Sequence, residues 1–368
     1  MKSLFAHLSK FDWLLMGALF MLMLIGLLTL FSLKGVSPFS YFERQLVWVV
    51  IGILCLFFAS FIDFRFFRTQ SWVVLIFYLA SVLLLVFVVM AGFSVRGVEA
   101  WFRIGSILVQ PVEIAKLALI ILLAKFFSKR HIEIYRVWHL AVSGLYLLIP
   151  TFLVLLQPDL GSALVLIAIW VLVVVFSGMK LRHLLVLFIL AAILSGIAWI
   201  GFLEPYQKAR ITAFINPYQD PKGSGYQMIQ SMIAVGSGET WGKGLGYGSQ
   251  THLHFLPEAE TDFIFAAFAE EWGFVGVLVM LALIFVVLWR IIATGMVAAD
   301  SFSRLYTVGF ASLVFFQSFI HIGMNMGALP ITGLNLPFVS YGGSSLVTLL
   351  IGVGILQNIK INSRRGIE

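Results

Sequence analysis

The stretch Phe255-Leu256-Pro257-Glu258-Ala259-Glu260-Thr261-Asp262-Phe263 carries three carboxylates just before a long apolar run. Asp262 is the last of them, at the border between a polar segment and a helix that must bury itself. Burial raises a carboxyl's pKa there and a helix N-terminus lowers it, so Asp262 is placed to take a proton from a substrate hydroxyl. The same residues also suit an acidic helix start with Thr261 as its N-cap. Glu113 and Lys116 form a second constellation. They follow Pro111 on one expected helix, three residues and roughly 4.5 Å apart along its axis, nearly on one face. They suit either a self-neutralising pair that fixes packing or the polar floor of a substrate site, with Lys116 available for a phosphate.

Other motifs narrow the chemistry. Gln157-Pro158-Asp159-Leu160-Gly161 makes a short turn in which Asp159 caps the next helix. Glu270 and Glu271 fall roughly 12 Å beyond Asp262 on the same expected helix. Consecutive acids cannot share a face, so at least one needs a partner. Gly242-Lys243-Gly244 looks like the end of a phosphate loop, but Ser237 stands where glycine is required and no Ser or Thr follows Lys243. A nucleotide P-loop is therefore not supported. Ser340 and Ser344 lie in Pro337-Phe338-Val339-Ser340-Tyr341-Gly342-Gly343-Ser344-Ser345, whose amides suit a phosphate at a helix start or close packing and capping equally well. His252 and His254 have no third ligand at zinc spacing. Cys55 is the only cysteine, so no internal disulfide forms.

The elements that position these groups are set by composition. The 368 residues are 61% hydrophobic and 11% charged, far from the ~45–50% apolar and ~25% charged of soluble domains. Apolar blocks of about twenty residues recur, enough for a helix to cross roughly 30 Å of hydrocarbon, and the alternation of a membrane β-barrel is absent. The pattern predicts an all-α integral membrane protein, one polytopic domain over 1–368. Its ten spans fall near 13–33, 46–62, 72–92, 109–127, 138–156, 161–179, 184–203, 263–288, 305–327 and 342–359. With both termini cytoplasmic, Lys and Arg concentrate in the inner loops. The short outer loops keep only Lys34, Arg44, Arg96 and Arg103, as the positive-inside rule requires. The net charge of +7 then records topology, not nucleic-acid binding. The long extracytoplasmic loop, 204–262, is the functional candidate, with 226–235 patterned as a short amphipathic helix at the interface. No cleavable signal precedes the first span.

Several of these stretches together resemble one family. Gln110-Pro111-Val112-Glu113-Ile114-Ala115-Lys116, the Asp159 turn, Gln230-Ser231 through Gly236-Ser237-Gly238, 255–265 and 336–345 occur in the order of the shape, elongation, division and sporulation (SEDS) family, over essentially the whole chain. Gly242-Lys243-Gly244 with Gly248-Ser249-Gln250 is more similar to its elongation member than to its division member. The resemblance implies a ten-span inverting glycosyltransferase of the bacterial cytoplasmic (inner) membrane, with its site toward the extracytoplasmic side. It would join lipid II units into β-1,4 glycan strands and release undecaprenyl pyrophosphate. It further implies Asp262 as general base, Glu113 and Lys116 lining the cavity, and Arg210 of Tyr206-Gln207-Lys208-Ala209-Arg210 as a pyrophosphate contact. A divalent cation, Mg or Mn, no nucleotide, a class B penicillin-binding protein and other elongation-complex membrane proteins complete what the resemblance implies. A lipid II transporter using the same charges for ion coupling, a noncatalytic scaffold and a division-type polymerase are the rival readings.

Overall fold

Asp12 starts the first helix: its carboxylate accepts a hydrogen bond from the Leu15 amide, and α1 (Trp13–Ser32) follows as an apolar run. The computed structural model describes residues 7–34, 41–95, 98–104, 107–129, 137–179, 212–223 and 225–364, with isolated positions between 180 and 211. The helices continue as α2 (Tyr41–Phe61), α3 (Arg65–Thr69), α4 (Ser71–Ala91), α5 (Pro111–Ser128), α6 (Val137–Leu156) and α7 (Leu160–Phe176). Within the long loop lie α8 (Tyr226–Ser237) and α9 (Ser249–His252), and after it come α10 (Ile264–Met296), α11 (Ser301–Asn325) and α12 (Gly343–Arg364). Seven of them are long and apolar enough to cross a membrane. α7 is equally apolar but has 17 residues, and α5 has 18 and carries Glu113, Lys116 and Lys125. Nine expected spans thus meet a helix. The expected span 184–203 lies almost wholly outside the described residues, as does Arg210.

Burial sorts the helices into an inner and an outer set. The most apolar stretches of α11 and α12 are 72% and 83% buried, against 28% for α2, α4 and α6. α5 is buried on nearly every side. α12 packs along α2, α11 packs against α5, α7 and α10, and α1 packs against α10. Between α4 and α5 the chain forms an antiparallel sheet, β1 (Phe93–Val95), β2 (Val98–Ile104) and β3 (Ile107–Val109), in that spatial order. The sheet delivers the chain to Gln110, after which Pro111 sits in the first turn of α5, where its missing N–H costs nothing.

One end of the bundle is tied by one carboxylate. Asp12 accepts from Arg290 Nε and Nη2 of α10 at 2.9 and 2.6 Å and from Lys360 Nζ of α12 at 2.8 Å, while its own amide donates to Gln357 Oε1. Burial pushes this carboxyl up, but hydrogen bonds from Arg290, Lys360 and the Leu15 amide outweigh that and hold it below its ordinary value.

Candidate active site

The expected eighth span is not one helix. Gly273 has φ 63° and ψ −166° inside α10, so the backbone ladder stops there and restarts. The glycine-rich turn after α8 fills the gap. Glu270 and Glu271 offer their carbonyls to the amides of Lys243 (3.0 Å) and Gly244 (2.9 Å), and the amides of Phe274 and Val275 donate to the carbonyls of Glu239 (2.9 Å) and Thr240 (3.1 Å). Backbone groups orphaned by the break are thereby paired, as an apolar environment demands. The contact is backbone on backbone: a Cβ on Gly242 would lie 2.1 Å from the Glu271 carbonyl oxygen, and one on Gly273 2.2 Å from the Gly242 nitrogen.

This clasp also settles the two expected acids. Glu270 is fully buried and accepts from Lys243 Nζ at 2.7 Å, the Gln250 amide at 2.9 Å and Thr251 Oγ1 at 3.1 Å. Glu271 accepts from the Ser32 hydroxyl of α1, from the Gly246 amide at 3.1 Å and meets His252 Nε2 at 3.3 Å. Both therefore have partners, all of them from the loop and α1. Lys243 holds a carboxylate in this structure.

Asp262 lies just before the first half of α10, the stretch 264–272. Thr261 is not its N-cap, because the cap position is Phe263 and no side chain bonds there. The turn is instead held from outside by three successive carbonyls. Glu260 O accepts from the Tyr341 amide at 3.0 Å, Thr261 O from Ser340 Oγ at 2.9 Å, and Asp262 O from Asn325 Nδ2 at 2.9 Å. Asn325 Oδ1 also accepts from the Ala266 amide at 3.2 Å, so one buried amide at the end of α11 serves both sides of the turn. Leu256, Ala259, Phe263, Ala266 and Ala267 pack beneath it with Ala234 and Leu33. The backbone of Asp262 is fixed while the residue stays partly exposed, its Oδ2 3.6 Å from where a Cβ on Gly333 would lie.

Glu113 and Lys116 are paired at 2.8 Å, with side chains 5% and 0% exposed. Asp159 caps α7 by accepting the Ser162 amide at 2.9 Å, and its second oxygen accepts from Gln110 Nε2 at 3.4 Å. Burial pushes the Asp159 carboxyl up, opposed by its bonds to Ser162 and by the Lys116 charge, with Glu113 pushing the same way as burial. Asp159 is thus the third titratable group of this cluster. A capping pattern gave no sign of that, because the cap uses one oxygen and the sequence does not say where the other points.

The segment 332–344 joins the two clusters. Ser344 Oγ accepts from the Gln110 amide at 3.3 Å on one side, and Ser340 bonds the Thr261 carbonyl on the other. Gly161 of the Asp159 turn packs so closely on Thr332 and Leu334 that a Cβ would meet them at 2.9 and 2.7 Å. His321 Nδ1 meets the Leu334 carbonyl at 2.7 Å, and Gln317 Nε2 donates to the Asn335 carbonyl at 3.0 Å. The amides at 340–342 do not form an open phosphate nest, since those of Ser340, Tyr341 and Gly342 donate to Leu336 O, Glu260 O and Gln45 Oε1. Among the described residues no three His, Cys, Asp or Glu side chains gather into a cation cage.

A family model described as cell cycle protein and covering FtsW, RodA and SpoVE matches residues 7–365. Stage V sporulation protein E of Bacillus subtilis (strain 168) is 37% identical over 363 residues, which is 96% of this chain and 98% of that protein. Peptidoglycan glycosyltransferase MrdB of Escherichia coli (strain K12) is 35% identical over 338 residues, 92% of this chain and 90% of that protein. A chain of the structure described as "Structural coordination of polymerization and crosslinking by a peptidoglycan synthase complex" superposes with a TM-score of 0.81 at 37% identity, covering 96% of this chain and 98% of that one.

Proposed function

Since the chain belongs to the SEDS family of FtsW, RodA and SpoVE, we propose that it is a peptidoglycan glycosyltransferase that polymerises lipid II with Asp262 as general base. The observation that carries the assignment is the Asp262 turn, a partly exposed carboxylate in a turn pinned at three consecutive carbonyls. A base must hold its oxygen within hydrogen-bond reach of the hydroxyl it deprotonates, and a pinned backbone that fixes where a partly exposed carboxylate starts meets that need. The acceptor sugar's 4-hydroxyl oxygen attacks the donor's anomeric carbon as Asp262 takes the hydroxyl proton. The bond from that carbon to the pyrophosphate oxygen breaks, the electron pair leaves with undecaprenyl pyrophosphate, and the α-linked donor becomes a β-1,4 linkage.

Glu113 and Lys116, paired and buried, lie with the buried Asp159 on the other side of 332–344. Lys116 and Arg210 are the cations the resemblance offers to pyrophosphate; Lys116 is fully buried on Glu113 in this structure, so reaching a phosphate requires that pair to open. Ser340, whose hydroxyl is committed to Thr261 and Leu336, acts by holding the Asp262 turn, and Ser344 by seating Gln110. The divalent cation implied by the resemblance has no cage of protein ligands among the described residues, and no step above passes through it. The site faces the outside of the cytoplasmic membrane, where a class B penicillin-binding protein would crosslink the strands. A related chain comes from a complex described by polymerization and crosslinking together, which supports that partner. An elongation role is favoured by the Gly242-Lys243-Gly244 and Gly248-Ser249-Gln250 stretch.

The test is gel analysis of strands made from lipid II by purified full-length protein with its partner. Asp262→Ala and Asp262→Asn should each lower the rate by roughly 10²–10⁴, the worth of a positioned base, without loss of thermal stability. Normal strands from either variant would sink the assignment. A transporter would make none with the unaltered chain.

A further inference from the structure

The catalytic segment leaves unused a groove between α7, α10 and α11, about 560 Å³ in volume and open at its side. Leu172 and Phe176 of α7, Ile292 and Met296 of α10, and Val308 and Phe315 of α11 make its walls apolar. Arg304 stands at one end. From Arg304 to Phe315 is eleven residues of continuous helix, roughly 16 Å, about half of a ~30 Å hydrocarbon core. The groove is therefore one leaflet deep, and by the distribution of Lys and Arg it opens on the cytoplasmic side.

Among the described residues no carboxylate neutralises the charge at its mouth. A guanidinium has five N–H donors, and among the described residues Arg304 uses one, donating from Nε to the Ala298 carbonyl at 3.0 Å. That bond orients the remaining fork. The neighbouring acid, Asp300, is taken by the Ser303 amide at 3.0 Å and the Ser303 hydroxyl at 2.8 Å, with Arg68 at 3.8 Å. Within the chain the natural competitor for an apolar groove is the expected span 184–203, but it contains no Asp or Glu and is preceded by Lys180 and Arg182. It would bring like charge toward Arg304. An apolar slot of one-leaflet depth ending in an unneutralised, oriented guanidinium is complementary to a phosphate-headed acyl chain.

We propose that this groove binds one anionic phospholipid of the cytoplasmic leaflet, with an acyl chain along α11 and its phosphate on Arg304. Full-length protein is equilibrated with phosphatidylglycerol or phosphatidylcholine of identical chains, and retained lipid is counted by native mass spectrometry. The unaltered chain should keep one phosphatidylglycerol about fivefold more tightly than phosphatidylcholine, the size of one basic contact at a membrane surface. Arg304→Ala should bring the two lipids level. Ala311→Trp, which fills the groove from α11, should remove the bound lipid of either kind, and a thermal midpoint within a few degrees of the unaltered chain shows that the variant is folded. Equal retention of both lipids by the unaltered chain, or undiminished retention in Ala311→Trp, overturns the proposal. So does efficient disulfide formation, in a Cys55→Ser background, between cysteines placed at position 308 and within 184–203. In that case the chain fills its own groove.

Discussion

Glu113 and Lys116 are worth more to each other than to the fold. Two charges at 2.8 Å with side chains 5% and 0% exposed have given up water, and their attraction mainly offsets that loss. Removing one partner leaves the other buried and unpaired. Glu113→Gln should cost about 3–5 kcal/mol, read as a large fall in the thermal midpoint in detergent. Glu113→Gln combined with Lys116→Met should recover most of that stability while strand synthesis stays lost, separating the packing role from the substrate role. Asp159 behaves differently. Its carboxyl is raised by burial, so its contribution favours the folded state at low pH and is lost as pH rises through the folded value. Asp159→Asn keeps a good N-cap without the charge, and its thermal midpoint at neutral pH should equal or exceed that of the unaltered chain. Asp159→Ala should lose roughly 1 kcal/mol with the cap. The pairing of Glu113 with Lys116 was legible in their spacing. The place of Asp159 beside them was not, because it depends on the Gln110 side chain arriving from another element.

Among the elements, α10 departs most from its sequence pattern. Glu270-Glu271-Trp272-Gly273 interrupts no hydrophobic block long enough to notice, and one glycine inside an apolar run predicts no break. The break is visible only with its partner, since the turn 238–244 supplies the missing backbone bonds. Gly242→Ala and Gly273→Ala should therefore each lower the thermal midpoint and strand synthesis together, although neither residue touches Asp262. Each would place a Cβ within about 2.1–2.2 Å of backbone, and both residues have positive φ. The Asp12 tie at the other end of the bundle was equally hidden, for nothing local links residue 12 to residues 290 and 360. Its carboxyl is held below its ordinary value. The stabilisation is therefore complete above the unfolded carboxylate's pKa and fades as pH falls through the lower folded value. Asp12→Asn should abolish that part of the acid sensitivity in a thermal series taken from neutral pH downward.

For the whole molecule, nine of the ten expected spans were readable because each apolar block has the length of a bilayer, and the bias of Lys and Arg predicts which ends face the cytoplasm. In a Cys55→Ser chain, a cysteine at Ser249 should react with an impermeant maleimide on intact cells, and one at Ser301 only after lysis. The sequence could not rank the helices by centrality: α5, α11 and α12 are the buried ones, yet they are less apolar than α1 or α4, since inner helices exchange lipid for polar neighbours. The stretch 264–272 has a consequence for how the chain can change length. It is a rigid spacer of nine residues with Asp262 before one end and the Gly273 clasp at the other. Adding one residue there turns one end by about 100° relative to the other and moves it ~1.5 Å, which no neighbouring loop can absorb. Insertions at the exposed positions 218–222 leave both ends where they are. A scan of single-alanine insertions should then find strand synthesis preserved across 218–222 and lost across 264–272, so that descent is free to lengthen this loop everywhere except where it sets the phase of its own carboxylate.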